Sequence, residues 1–154
     1  MLLYRIAHKK FTQNLSVSGF SGRWNSDGKM VLYTSENISL ALLKNMIYRA
    51  GSGFNNDYKI MIIEVLSKKI EEVDIKKLPK SWRELDAYSE LQEIGNVWYD
   101  LQKNLILKVP SSVLPENFNY ILNTIHPDFK KVKLVDVLDY EPDERLENIL
   151  KKYS

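Results

Sequence analysis

Two arginines near the start of the chain have surroundings suited to binding an anion. Arg5 lies in a short apolar segment, and Arg23 lies between Gly22 and Trp24 in a glycine-containing loop. A guanidinium group is planar, stays charged and binds phosphate oxygens through two parallel N–H groups. Two such side chains could clamp a pyrophosphate. Each arginine could equally be a surface residue or half of an ordinary ion pair.

Aromatic and hydroxyl side chains could complete a site around these arginines. Tyr33 ends a predicted strand just before a predicted helix N-terminus, where anions are favoured, and its ring could stack on a ligand. Trp24 is expected to anchor the loop first and to serve as a ligand platform second. Ser111 follows Val109 and Pro110 at a strand end, where its hydroxyl could bind a ligand. The alternatives are a core position for Tyr33 and turn capping for Ser111.

The sequence offers no support for serine-hydrolase or metal chemistry. The two histidines, His8 and His126, are far apart, and His126 before Pro127 is typical of a turn. Two histidines without close spacing are a poor metal-ligand set. The absence of cysteine excludes disulfides and thiolate metal sites. We therefore predict no metal site.

Length and composition predict one ordinary globular domain over residues 1–154. The chain has 44% hydrophobic and 27% charged residues, which is usual for a soluble protein. Its net charge of +2 comes from scattered lysines and arginines, so direct nucleic-acid binding is not predicted. No apolar run is typical of a signal peptide or of a membrane span. We expect a cytoplasmic protein without membrane contact.

Apolar and β-branched runs predict six strands, and longer periodic segments predict three helices. The predicted strands cover residues 2–6, 29–34, 58–66, 105–109, 118–122 and 132–138. The predicted helices begin after Ser35 or Asn37 and end near Ala50, cover residues 87–101, and begin near Pro142. Residues 10–28 are predicted to form a long loop, a type of segment that is often functional. Without regular βαβ alternation, these elements predict an α+β fold.

Two of the helices carry patterns that predict how they are buried. Residues 38–48 are apolar almost all round, so the first helix is predicted to be buried on most sides. Lys44 shares one line of that helix with Leu40, Ile47 and Tyr48, so its stem is expected to lie against the protein. In the last helix, a buried stripe is predicted from Leu146, Ile149 and Leu150.

Short motifs spread over most of the chain resemble, in order, those of the RES-domain family. The motifs are YR at 4–5, GRWN at 22–25, YTS at 33–35, LALL at 40–43, LPKSW at 78–82, IGNVW at 94–98, VPS at 109–111, NYILN at 119–123, HPDF at 126–129 and DERL at 143–146. The resemblance implies a fold similar to that of ADP-ribosyltransferases, with a mainly antiparallel sheet and flanking helices. It also implies the toxin of a bacterial type II toxin–antitoxin pair that depletes NAD+ by cleaving the nicotinamide–ribose bond.

The same resemblance implies roles for particular residues. Arg5 and Arg23 would hold the pyrophosphate of NAD+, Tyr33 would pack against nicotinamide or ribose, and Ser111 would orient the ribose. Trp24 and Asn123 would support NAD+ binding. Inorganic phosphate as co-substrate, water, or a protein side chain could each accept the ADP-ribose group. The partner implied is an Xre-like antitoxin protein.

One position departs from the family pattern, because Lys44 stands where the family has a glutamate. A carboxylate there would stabilise the positive charge that develops on the ribose, whereas a lysine would repel it. We therefore expect strongly impaired turnover, unless Glu36 or Glu64 supplies a carboxylate instead. The alternative functions are a protein ADP-ribosyltransferase toxin and a catalytically dead module that only binds its antitoxin.

Four aromatic residues bear on assembly. We predict that they are mostly core but include an exposed patch that joins two copies of the chain within a larger toxin–antitoxin complex. These residues are Trp82, Tyr88, Trp98 and Tyr99.

Overall fold

Seven strands and three α-helices form the regular structure of residues 1–53 and 55–153, which the computed structural model describes. The strands are β1 Leu2–His8, β2 Val31–Ser35, β3 Tyr58–Val65, β4 Ile70–Glu72, β5 Ile106–Pro110, β6 Phe118–Asn123 and β7 Val132–Asp139. The helices are α1 Ile38–Arg49, α2 Tyr88–Leu101 and α3 Glu144–Tyr153. Short 3-10 turns lie at Lys9–Phe11, Ala50–Gly53, Ile75–Lys77, Leu85–Ala87 and Pro127–Lys131.

The strands form one sheet in the order β4-β5-β6-β2-β1-β3-β7. All neighbouring strands are antiparallel except β4 and β5, which are parallel. The predicted α+β fold with a mainly antiparallel sheet and flanking helices is confirmed. β4 was not predicted, because its three residues are exposed at the sheet edge and two of them are glutamates.

The two central strands of the sheet diverge from each other. β1 pairs with β3 along its whole length, from Leu2 opposite Glu64 to His8 opposite Tyr58. In the part of the chain that the structure describes, β1 and β2 share a single register pair, Tyr4 opposite Ser35. Strands that separate beyond a single pair leave a gap that side chains or a ligand can fill.

The core of the protein includes two large apolar clusters. One cluster joins β1 to β3 through Leu3, Met61 and Ile63. The other packs α2 against β5 and β6. Trp82, Trp98 and Tyr99 belong to the second cluster and are no more than 6% exposed. The prediction that most of the four aromatic residues are core is therefore confirmed, and only the half-buried Tyr88 is left for an exposed patch.

Two predictions of helix burial are wrong in part. α1 packs on β1 and β2 through Leu40, Ala41 and Asn45, while Ile47 is 62% exposed and Tyr48 is 57% exposed. More than half of the surface of these two apolar side chains is therefore exposed. In α3, Ile149 is likewise 51% exposed rather than part of a buried stripe. No described helix combines the length and apolarity that a membrane crossing requires.

Candidate functional site

A pocket of about 590 Å³ opens where β1 and β2 diverge. One wall is formed by β1, a second by α1, and a third by the loop between β1 and β2. The lining residues are Tyr4, Arg5, Ile6, Ser18, Phe20, Ser21, Gly22, Arg23, Trp24, Tyr33, Ser35, Ala41, Lys44, Asn45, Tyr48, Arg49, Tyr88, Pro110, Ser112 and Asn119.

The loop that carries Arg23 is fastened to α2. Gln92 donates to the Gly22 carbonyl at 2.8 Å, and Asn96 exchanges hydrogen bonds with Ser26 at 2.7 and 3.1 Å. Gly95 lets the loop backbone approach the helix, because a Cβ there would lie 1.7 Å from the Trp24 carbonyl oxygen. The glycine inside α2 is thus explained by the seating of this loop.

Tyr33 holds the same loop from the sheet side. Its hydroxyl donates to Asn25 Oδ1 at 2.6 Å and accepts from the Trp24 backbone N–H at 3.0 Å. At Gly22, a Cβ would lie 2.8 Å from this hydroxyl, so the close packing requires glycine. Burial raises the pKa of Tyr33 and keeps it a neutral phenol. The hydroxyl is therefore engaged in structure, and the ring is the part that faces the pocket.

Arg5 and Arg49 bring two guanidinium groups into the pocket wall. Arg5 Nη1 donates to the Tyr33 carbonyl at 3.0 Å, which ties β1 to β2 where their backbones have separated. Burial, with repulsion from Arg49, lowers the pKa of Arg5. Arg49 donates to Asn45 Oδ1 at 3.2 Å, and the amide of Asn45 donates to the Gly53 carbonyl at 2.9 Å.

Arg23 is oriented by backbone carbonyls and by an aromatic ring. Its Nη1 donates to the carbonyls of Trp82 and Arg83, both at 3.0 Å, and its Cζ lies 4.8 Å from the Tyr88 ring centroid. Among the described residues, its Nε and Nη2 groups have no hydrogen-bond acceptor. An oriented guanidinium with unused donors is suited to binding an oxyanion.

Lys44 reaches into the middle of these cations. Its Nζ lies 5.7 Å from the centroid of the Tyr33 ring. Burial, with repulsion from Arg5, Arg23 and Arg49, lowers the pKa of Lys44 from 10.5 to about 8. The amine is therefore close to a cluster of like charge and is only partly hydrated.

No aspartate or glutamate from the described part of the chain lines this pocket. Glu36 lies nearby in sequence, but its carboxylate accepts hydrogen bonds from the Asn117 amide and the Phe118 backbone N–H. Glu64 lies on β3 opposite Leu2 and is also absent from the lining. The result is a pocket with four basic side chains and no carboxylate, which favours polyanionic ligands.

The structure brings together five of the seven residues predicted for the site: Arg5, Arg23, Trp24, Tyr33 and Lys44. Ser111 is fully buried beside the pocket, and its hydroxyl accepts from the Val113 backbone N–H at 3.2 Å. Its neighbours Pro110 and Ser112 line the pocket. Asn123 is fully buried outside the lining and donates to the Tyr99 carbonyl at 3.0 Å.

Several lining residues were not predicted from the sequence. Tyr48 follows Lys44 by four residues and Arg49 follows Asn45 by four, so two pairs at helical spacing bring polar atoms to one side of an otherwise apolar helix. That spacing was the signal that could have identified them. Tyr88 had no comparable signal, because its place in the pocket depends on how α2 packs. Within residues 1–53 and 55–153, no group of three or more histidine, aspartate or glutamate side chains could hold a metal ion.

Comparison with known proteins gives consistent matches across nearly the whole chain. The RES domain model matches residues 2–145. A Photorhabdus laumondii protein named Toxin Res is 30% identical over 151 residues, which is 95% of this chain and 97% of that protein. A Sphingobium protein named Prs ADP-ribosylating toxin is 28% identical over 128 residues, covering 81% of this chain and 80% of that protein.

A solved structure has the same fold. A chain from the crystal structure of the M. tuberculosis MbcT–MbcA toxin–antitoxin complex superposes with a TM-score of 0.69. The match covers 98% of this chain and 88% of that chain, with 15% sequence identity. At that identity the similarity establishes the fold alone.

Proposed function

This chain belongs to the RES domain family, and from that premise we propose that it is the toxin-type member of a toxin–antitoxin pair. We propose that its pocket binds NAD+ through the pyrophosphate and that its cleavage of the nicotinamide–ribose bond is strongly impaired. One observation carries the proposal: four basic side chains line the pocket, one of them is Lys44, and no described carboxylate accompanies them.

Binding of the pyrophosphate is supported by two arginines in the lining, Arg5 on β1 and Arg23 on the loop between β1 and β2. Arg23 is held by backbone carbonyls and retains free donors, and Arg5 lines the pocket while its Nη1 donates to the Tyr33 carbonyl. A pyrophosphate carries two negative charges at neutral pH, so it would offset the repulsion among the basic side chains. Arg49 adds a third guanidinium that the sequence reasoning had not included.

Cleavage would require stabilisation of a cation. When the bond from nicotinamide to ribose breaks, the bonding electrons leave with nicotinamide and the ribose carbon becomes positively charged. A carboxylate near that carbon lowers the barrier, whereas a protonated amine raises it. Lys44 is predominantly protonated at pH 7, since its pKa is about 8. The same charge that favours pyrophosphate binding therefore opposes the reaction.

The acceptor and the partner belong to the proposal as well. Phosphorolysis, hydrolysis and transfer of ADP-ribose to a protein remain three forms of the reaction, and the name of the Sphingobium relative favours the third for that protein. We propose an Xre-like antitoxin as the partner, a homodimer within the larger complex, and the cytoplasm as the location. Ser111 and Asn123 act in this proposal by supporting β5 and β6 beside the pocket.

The binding proposal is tested by calorimetry with NAD+. Arg23→Gln should weaken binding by about tenfold or more, since an ionic hydrogen bond is worth roughly 1.5–3 kcal/mol. The control is Arg145→Gln, because Arg145 is exposed and paired with Asp143 at 2.9 Å, away from the pocket. Circular dichroism of both variants verifies folding. Unchanged affinity in Arg23→Gln, or an equal loss in Arg145→Gln, would contradict the proposal.

A second candidate function is a dead module that retains only antitoxin binding, and Lys44 is the observation that favours it. Calorimetry with the cognate antitoxin, together with chromatography of NAD+ incubated with and without inorganic phosphate, separates the two. Tight antitoxin binding with neither NAD+ binding nor turnover supports the dead module. A product that forms only with phosphate identifies phosphorolysis, and label transferred to protein identifies the transferase.

A further inference from the structure

We propose that this pocket discriminates by charge between NAD+ and related adenosine diphosphate compounds, and that it binds NADH and ADP-ribose more tightly than NAD+. The inference rests on the proposed function and names the ligand class of the same site. NADH and ADP-ribose share the adenosine diphosphate part of NAD+, but each is one unit more negative because it lacks the cationic pyridinium ring.

The positive charges that line the pocket would repel a cationic pyridinium ring. Arg5, Arg23, Lys44 and Arg49 all reach it, and none of the described aspartates or glutamates does. The pocket measures about 590 Å³, so a dinucleotide bound in it would place its pyridine ring near some of these groups. Charges interact more strongly in such a partly enclosed site than in bulk water, because less water is present to screen them. The pyrophosphate is attracted in all three ligands, and only the pyridinium ring of NAD+ is repelled.

The position of Lys44 near the Tyr33 ring also disfavours stacking of a pyridinium ring on that ring. A pyridinium ring gains affinity by stacking on the electron-rich face of an aromatic side chain. Here the Lys44 amine already lies 5.7 Å from the Tyr33 ring centroid. The pocket face of that ring is therefore shared with a resident cation, which leaves the uncharged dihydropyridine ring of NADH, or no ring at all, as the better match.

The consequence is a pocket that favours NADH, which is reduced, and ADP-ribose, which lacks the nicotinamide ring. A cleaving enzyme gains from a site that favours the oxidised form, because only NAD+ carries the reactive bond. With Lys44 in place, the preference moves to ligands that cannot react. The chain would then bind ADP-ribose and NADH without converting them.

Calorimetry of the purified chain with NAD+, NADH and ADP-ribose tests this ranking, with chromatography to verify that NAD+ remains intact. We expect NADH and ADP-ribose to bind at least about tenfold more tightly than NAD+. Lys44→Met, which keeps the length and removes the charge nearest the Tyr33 ring, should lower the ratio although three arginines remain, and Lys44→Glu should lower it further. Lys108→Met is the matched control: Lys108 is also half-buried beside an aromatic ring, 4.1 Å from the Phe118 centroid, but outside the pocket.

The outcomes separate failure of the charge discrimination from failure of the proposed NAD+ binding. NAD+ binding as tightly as NADH in the unaltered chain overturns the charge discrimination but leaves NAD+ binding in place. A ratio that is unchanged in Lys44→Met also overturns it, because the discrimination would then have another source. Binding of none of the three ligands overturns this inference and the proposed function together.

Discussion

Replacing Lys44 by methionine should stabilise the fold at neutral pH, and the gain should disappear in alkali. The pKa of Lys44 drops from 10.5 to about 8 because burial and three neighbouring arginines disfavour the charged amine. That drop corresponds to at most about 3 kcal/mol, since water in the open pocket screens part of the repulsion. Methionine has a similar length and carries no charge, so the variant avoids this cost.

The sign of the pH dependence follows from proton binding. Below pH 8 the amine is protonated in both the folded and the unfolded chain, and the folded state bears the full cost. Between pH 8 and about 10.5 the folded chain loses this proton first, so the unfolded chain binds more protons and stability rises with pH. The free energy of unfolding of the unaltered chain should therefore approach that of Lys44→Met across this window.

Urea denaturation followed by tryptophan fluorescence measures this difference at pH 7, 8, 9 and 10. The other titrating groups are common to both proteins and largely cancel. Lys108→Met serves as control, because the Lys108 amine has a carboxylate partner in Glu72 at 3.6 Å and should not reproduce the alkaline convergence. A difference between Lys44→Met and the unaltered chain that stays constant from pH 7 to 10 would refute the reasoning.

Three further changes test how the pocket is held together. Gly95→Ala should destabilise the protein by several kcal/mol or displace the Trp24 loop, since its Cβ would lie 1.7 Å from the Trp24 carbonyl; thermal melts and tryptophan fluorescence report this, and an unchanged melt contradicts the packing. Tyr33→Phe removes the hydroxyl that joins Asn25 to the loop backbone and should cost about 1–3 kcal/mol with faster proteolysis of the loop; equal proteolysis in both proteins would count against it. Asn37→Ala removes the side chain that caps α1 at 2.8 Å and should cost about 1 kcal/mol in urea denaturation, and no loss would show that the cap is dispensable.

Much of the sheet could be predicted because its strands are continuous apolar and β-branched runs. β3, for example, was predicted at residues 58–66 and is observed at Tyr58–Val65. β4 could not be predicted, because an exposed three-residue edge strand with two glutamates lacks any apolar pattern. The burial of α1 was overestimated because an apolar surface in sequence does not reveal whether a second layer covers it. Ile47 is mostly exposed, and Tyr48 lines the open pocket instead of packing in the core.

The pocket was predicted where residue type carried the information and missed where packing did. Arg5 and Arg23 could be identified by their charge in apolar or glycine-containing settings, and the structure places both in the lining. The position of Ser111 behind the lining depends on a turn in which its hydroxyl accepts from Val113, and that detail is local geometry. The role of Gly95 depends on the Trp24 backbone, which lies 71 positions earlier in the chain and packs against it, so the sequence of α2 alone does not reveal it.

The central claim is that the sign of the charge at residue 44 decides whether this pocket cleaves the dinucleotide it binds. Nicotinamide release from NAD+ should be compared among the purified chain, Lys44→Gln and Lys44→Glu, with NAD+ content and growth followed after expression without antitoxin. We expect Lys44→Glu to release nicotinamide on the order of hundreds of times faster, to deplete cellular NAD+ and to stop growth. Lys44→Gln should release nicotinamide at an intermediate rate. The unaltered chain should neither deplete cellular NAD+ nor stop growth. Equal NAD+ loss from the unaltered chain and Lys44→Glu would contradict the claim.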